Sequence, residues 1–144
     1  MPPRRAGATT EAVAANIARL RATYKMSLKD LANDLAERGL SITPQSLFSL
    51  EKGGTAITVD QLTSVAAVFS VSPVSLLMPW TDDAWEPQVD LAGVPNEYPR
   101  VVHDWLVGDV PLEQPPMLEQ QNPEVILAFR NRCRPPWMAR AEKY

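Results

Sequence analysis

The ten residues TPQSLFSLEK, from Thr43 to Lys52, put two kinds of side chain on opposite sides of one short helix. At about 100° per residue, with Leu47 at 0°, Leu50 falls near 300° and the two leucines form the buried anchor. Gln45, Phe48, Ser49 and Lys52 then lie between about 100° and about 200°, pointing away from that anchor. A glutamine amide can bond an adenine edge through two atoms, and a serine hydroxyl can bond any base. Lys52, with the hydroxyl and backbone N–H groups near Thr43, suits phosphate oxygens, a preference that a helix N-terminus reinforces. The alternative is an ordinary solvated face, for which an outward Phe48 is an awkward residue.

Such a ridge works only if rigid elements hold it. From Glu11 to Trp80 the chain reads as five short helices with consistent punctuation. Val13, Ile17, Leu20 and Tyr24 share one stripe on a first helix over residues 11–25. Ser27-Leu28-Lys29-Asp30 has capping-box form and opens a second helix, with Leu28, Leu31, Ala32 and Leu35 on one side and Gly39 as its stop. Thr43-Pro44 opens the third helix, which Gly53-Gly54 closes. Thr58-Val59-Asp60-Gln61 caps a fourth, with Leu62, Val65, Ala66 and Phe69 inward, and Ser72-Pro73 opens a fifth carrying Leu76 and Leu77. No strand is expected in this segment.

Glu51 falls near about 40° on the third helix, on its buried flank, where an unpaired carboxylate is costly. Arg21 stands at the edge of the first helix's apolar stripe. The pair is expected to form a partly buried ion pair joining helix one to helix three; two independent surface charges are the alternative.

These residues, in this order, resemble the lambda-repressor-like (XRE-type) helix-turn-helix family over residues 11–80. The resemblance is carried by Ile17…Leu20-Arg21, Ser27-Leu28-Lys29-Asp30-Leu31-Ala32, Leu47…Leu50-Glu51-Lys52-Gly53 and Leu62…Ala66…Phe69-Ser70-Val71-Ser72…Leu76-Leu77. It implies that helix three enters the major groove of double-stranded DNA. Pro44, Gln45 and Ser49, with Ser46 close by, then occupy base-reading positions. Thr43 and Lys52 correspond to backbone contacts, with Ser27 and Lys29 at the start of helix two, and Arg21 with Glu51 to an interhelical ion pair. The chain departs from the family pattern in three places. Leu28 replaces a polar residue that would contact a phosphate, Pro44 cannot read a base by hydrogen bonding, and the connection over residues 36–42 is longer than the usual turn.

The rest of the chain differs in composition. Residues 1–80 carry eight Lys/Arg and six Asp/Glu, whereas residues 81–144 carry six and eleven. Nine of the fourteen prolines also lie in the second segment. One helix is expected from Pro99 to Val107, closed by Gly108, and another from Asn122-Pro123-Glu124 to just before Pro135-Pro136. Arg130 interrupts the Ile126–Phe129–Cys133 stripe. Residues 81–124 hold ten acids and one base and residues 125–144 five bases and one acid, so Arg130, Arg132 and Arg134 are expected to pair internally rather than touch DNA. Trp80, Trp85, Trp105 and Trp137 are read as anchors of a fold-back contact or subunit interface, or else as core. Residues 1–10, with Arg4 and Arg5, read as a flexible arm that either lies in a minor groove or is simply a tail.

Together these readings give an all-α fold: a five-helix DNA-binding domain over residues 11–80 and a Pro/Trp-rich, partly helical extension over residues 81–144 that folds back or oligomerises. The function expected is that of a sequence-specific transcriptional regulator, a repressor of phage-immunity or prophage type that acts by occupying a double-stranded DNA operator. A homodimer on two half-sites would supply affinity, although a monomer stays open because there is no heptad zipper. A protein-interaction module, an antitoxin or a helical adaptor, is the competing reading. Lone His103 and Cys133 offer neither a metal site nor a nucleophilic triad, and no phosphate loop or serine elbow is present, so neither an enzyme nor a cofactor, metal or small-molecule ligand is expected. With no apolar run of about 18 residues and no apolar core behind the N-terminal arginines, the expected setting is cytoplasmic, without a membrane partner.

Overall fold

The structure is a computed structural model and describes residues 7–138. Seven helices run in the order α1 (Ala8–Thr23), α2 (Leu28–Glu37), α3 (Pro44–Glu51), α4 (Val59–Val68), α5 (Pro73–Leu77), α6 (Pro99–Leu106) and α7 (Pro123–Cys133). Between α5 and α6 stand two strands, β1 (Val89–Leu91) and β2 (Val94–Glu97), paired antiparallel. No helix among the described residues is long and apolar enough to cross a membrane.

Helices α2 to α5 each start where a side chain accepts an N–H that has no partner inside the helix, whereas α1 starts at Gly7 without such a cap. Ser27, Thr43 and Thr58 each accept the amide three residues on, at 3.0 to 3.1 Å. Asp30 and Gln61 return the bond to Ser27 N and Thr58 N, completing two capping boxes. The C-termini of α1 to α4 share one device as well. The residue after the cap turns left-handed, and two amides bond back to carbonyls of the last turn. In α2 and α3 that residue is Gly39 or Gly53. In α1 and α4 it is Lys25 or Ser70, each at φ +54° despite carrying a side chain.

The first five helices close on one core. Val13, Ile17, Leu20, Leu31, Leu35, Leu47, Leu50, Val65, Phe69 and Leu76 are all buried there. Tyr24, assigned from the sequence to the inward stripe of helix one, is instead about half exposed. Its ring stacks on Phe69 with centroids 5.9 Å apart, and its hydroxyl donates to the Phe69 carbonyl. The first helix begins at Ala8, so the last three residues of the segment read as an arm are helical. Arg4 and Arg5 lie outside the described residues.

The all-α expectation is corrected by the hairpin: the described residues form seven helices and an antiparallel pair of strands, with α6 and α7 standing where the sequence placed two helices in the extension. Val89, Leu91 and Val94 alternate inward and, with Val102 of α6, make a second buried cluster. Leu91 pairs with Val94, which leaves Ala92-Gly93 as the connection, and Gly93 at φ +81° supplies the left-handed step. This cluster rests on α1: Ala12 packs against it, and the Ala92 N–H donates to the Thr9 hydroxyl at 2.9 Å. One helix thus serves both cores. Asn16, 1% exposed, marks the junction on α1, its amide donating to the carbonyls of Leu76 (2.8 Å) and Met78 (2.7 Å).

Candidate functional site

On α3 the two faces separate cleanly. Leu47 and Leu50 are buried, whereas Pro44, Gln45, Ser46 and Lys52 are exposed and Ser49 is half-buried. Phe48 is 51% exposed, with the Lys52 ammonium 5.4 Å from its ring centroid. The helix is fixed at its far end by Arg21, whose guanidinium meets the Glu51 carboxylate through two bonds of 2.5 and 2.9 Å and also donates to the Met26 carbonyl. The Glu51 side chain is only 6% exposed. Hydrogen bonding to Glu51 raises the pKa of the Arg21 guanidinium, so its charge is secure.

Beside α3 runs an open cleft of about 660 Å³, bounded by α3, the turn before it and the loop leading into α4. Of the residues singled out from the sequence, it brings together Thr43, Gln45, Ser46 and Ser49, and it adds Ser41, Thr55, Thr58 and Gln61. Among the described residues lining it none is charged. Its hydroxyls are organised in pairs: Thr43 Oγ1 donates to Ser46 Oγ at 2.9 Å, and Ser49 Oγ lies 2.9 Å from Thr55 Oγ1. Beside Ile42, Leu50 and Ala56, these amides and hydroxyls offer donors and acceptors to a partner that presents the same.

The remaining sequence candidates are spread out. Ser27 caps α2 through its hydroxyl and Lys29 lies in the first turn, both exposed but off the cleft lining. Lys52 and Pro44 also stand outside the lining. The tryptophans do not assemble. Trp80 lies under the Arg19 guanidinium at 3.8 Å from its ring centroid, Trp85 meets Tyr98 edge-on, Trp105 packs on the second core, and Trp137 is exposed. Arg130 donates to the Asp109 carbonyl and Arg134 pairs with the Asp109 carboxylate, while Arg132 stays exposed. His103 is exposed near Asp104, Cys133 is a free exposed thiol, and no cluster of metal-ligating side chains stands among the described residues.

Sequence reasoning missed Ser41, Thr55, Thr58 and Gln61 as cleft residues. Thr58 and Gln61 were visible only as a capping box, and Thr55 lies in a loop that no periodicity reaches. No family model, curated protein or solved structure matches the chain. The reading of the cleft therefore rests on its own chemistry.

Proposed function

We propose that the chain is a sequence-specific double-stranded DNA-binding regulator of the kind its residues 11–80 resemble, a repressor of phage-immunity or prophage type that acts by occupying an operator. The observation that carries this reading is the uncharged cleft beside a short helix whose outward side chains are Gln45, Ser46 and Ser49. Base edges in the major groove are themselves rows of neutral donors and acceptors. Lys52 at the end of α3 and Lys29 at the start of α2, both exposed and outside the cleft lining, suit phosphates. A single reader of this size touches few base pairs, so two copies on symmetric half-sites would supply the affinity that regulation requires.

The test is selection of bound duplexes from a random pool. The wild-type protein is expected to enrich one sequence class, and Gln45→Ala with Ser49→Ala to lose that enrichment without loss of melting temperature. Enrichment of no sequence by the wild type would overturn the reading.

A protein-interaction module, an antitoxin or a helical adaptor, is the second reading, favoured by apolar side chains left outward on and near α7. Leu118, Leu127 and Trp137 are all more than half exposed there.

A further inference from the structure

Thr55 lies in the loop between α3 and α4 and was not among the residues the sequence pointed to. Its hydroxyl lies 2.9 Å from that of Ser49, and either oxygen can be the donor. Both side chains line the cleft beside α3. The loop reaches this position by close backbone approach. Gly54 N–H donates to the Ser49 carbonyl at 3.0 Å, and a Cβ on Gly54 would stand 3.2 Å from Ser49 Oγ. Glycine therefore lets the loop lie against the last turn of α3 and deliver the Thr55 hydroxyl to that of Ser49.

A lone serine hydroxyl is an indifferent reader, because it rotates freely and both donates and accepts. A partner hydroxyl at hydrogen-bond distance narrows that freedom to two arrangements. When Ser49 donates to Thr55, its remaining lone pair faces outward and selects an amino group, as on adenine or cytosine. When Thr55 donates to Ser49, the Ser49 proton is freed for an acceptor, as on guanine or thymine.

We propose that Thr55 is a positioning residue for base discrimination: it sets the orientation of the Ser49 hydroxyl, so the two read one base edge as a unit. This rests on the reading of the cleft as a base-contacting surface.

The experiment is selection from a random duplex pool with the full chain, followed by binding of the selected site and its single-base variants. It compares wild type, Thr55→Val, Thr55→Ser, Ser49→Ala and the Ser49→Ala/Thr55→Val double variant. Thr55→Val is expected to reduce discrimination at one base pair about tenfold. Thr55→Ser should restore it, and the double variant should lose no more than Ser49→Ala alone. Melting temperature should stay at the wild-type value.

Unchanged base preferences in Thr55→Val would overturn the proposal. So would a uniform loss of affinity across all sequences, the mark of a backbone contact, or a failure of Thr55→Ser to rescue. A wild type that selects nothing fails before any variant is compared, and that result removes the DNA reading itself.

Discussion

The guanidinium of Arg21 and the carboxylate of Glu51 face each other across thirty residues of sequence, joined at 2.5 and 2.9 Å. The carboxylate is nearly enclosed, so removing Arg21 strands it where water is scarce; removing Glu51 leaves Arg21, its side chain 26% exposed, without its carboxylate but still on the Met26 carbonyl. Arg21→Ala and Glu51→Ala are each expected to cost about 1.5–3 kcal/mol. The double variant should cost less than their sum by about 1–2 kcal/mol. Urea denaturation of the four proteins measures the cycle, and additive losses would show the pair to be uncoupled.

Asn16 gives a second stability test, this one with a pH signature. Asn16→Ala removes two donors from the Leu76 and Met78 carbonyls and should cost about 2–3 kcal/mol. Asn16→Asp should be worse at neutral pH, because an ionised carboxylate would point at two carbonyl oxygens. Burial and those dipoles are expected to outweigh the Arg19 guanidinium, which donates to Asn16 Oδ1 at 3.3 Å, and to raise the pKa of the new acid above the usual value of about 3.9. Its native state then binds more protons than its unfolded state, so the deficit against wild type shrinks as pH falls through the raised pKa. Melting curves of both proteins across pH report the difference; a deficit independent of pH would sink the assignment.

The left-handed residue after α1 is Lys25, at φ +54°. A side chain in that conformation is strained by about 1–2 kcal/mol, of which glycine returns part to unfolded-chain entropy. Lys25→Gly is therefore expected to stabilise by about 0.5–1 kcal/mol. A lower denaturation midpoint in the variant would contradict this account of how α1 ends.

Asp30 is held below its ordinary value of 3.8 by the Ser27 backbone N–H first and the Ser27 hydroxyl second. A depressed folded-state value means that the capping contribution is complete above the unfolded pKa and is lost as pH falls through the depressed one. Wild type should thus lose its advantage over Asp30→Ala on acidification below the ordinary aspartate range. Thermal midpoints of both proteins measured between neutral and strongly acid pH supply the check.

The proposed DNA contact makes a prediction about salt. Among the residues assigned to the interface only Lys29 and Lys52 carry charge, so each subunit should release about two counterions. The logarithm of affinity should fall with the logarithm of salt at a slope near −2 per subunit. A slope several times steeper would mean that phosphates are met by a different, more basic surface.

How much of this was legible in the sequence follows from how local each signal is. Ser27, Thr43, Thr58 and Ser72 each accept an amide two or three residues on, so their helix starts could be read directly. The outward set of Gln45, Phe48, Ser49 and Lys52 followed from the position of Leu47 and Leu50 alone, whereas Ser46 entered only through the family resemblance. The hairpin was missed because Val89, Leu91 and Val94 stand between Pro87 and Pro95, which argue against strand, and because the surface they cover belongs to α1 far back in the chain. Asn16 was missed for a related reason. A polar residue within an apolar stripe gives no hint of the distant carbonyls that satisfy it. Thr55 lay outside both kinds of signal, since its partner is chosen by the path of a loop.

The double use of α1 bears on where this chain can be cut. Asn16 fastens the exit of α5 as far as Met78, Arg19 covers Trp80, and Thr9 and Ala12 are already engaged by the hairpin. A fragment trimmed at Leu77 would shed one carbonyl from the Asn16 amide and bare an apolar strip along its own first helix. Excision aimed at a minimal, well-behaved fragment should therefore keep Trp80 and replace Ala12 with a polar residue, so that the severed seam meets water on acceptable terms.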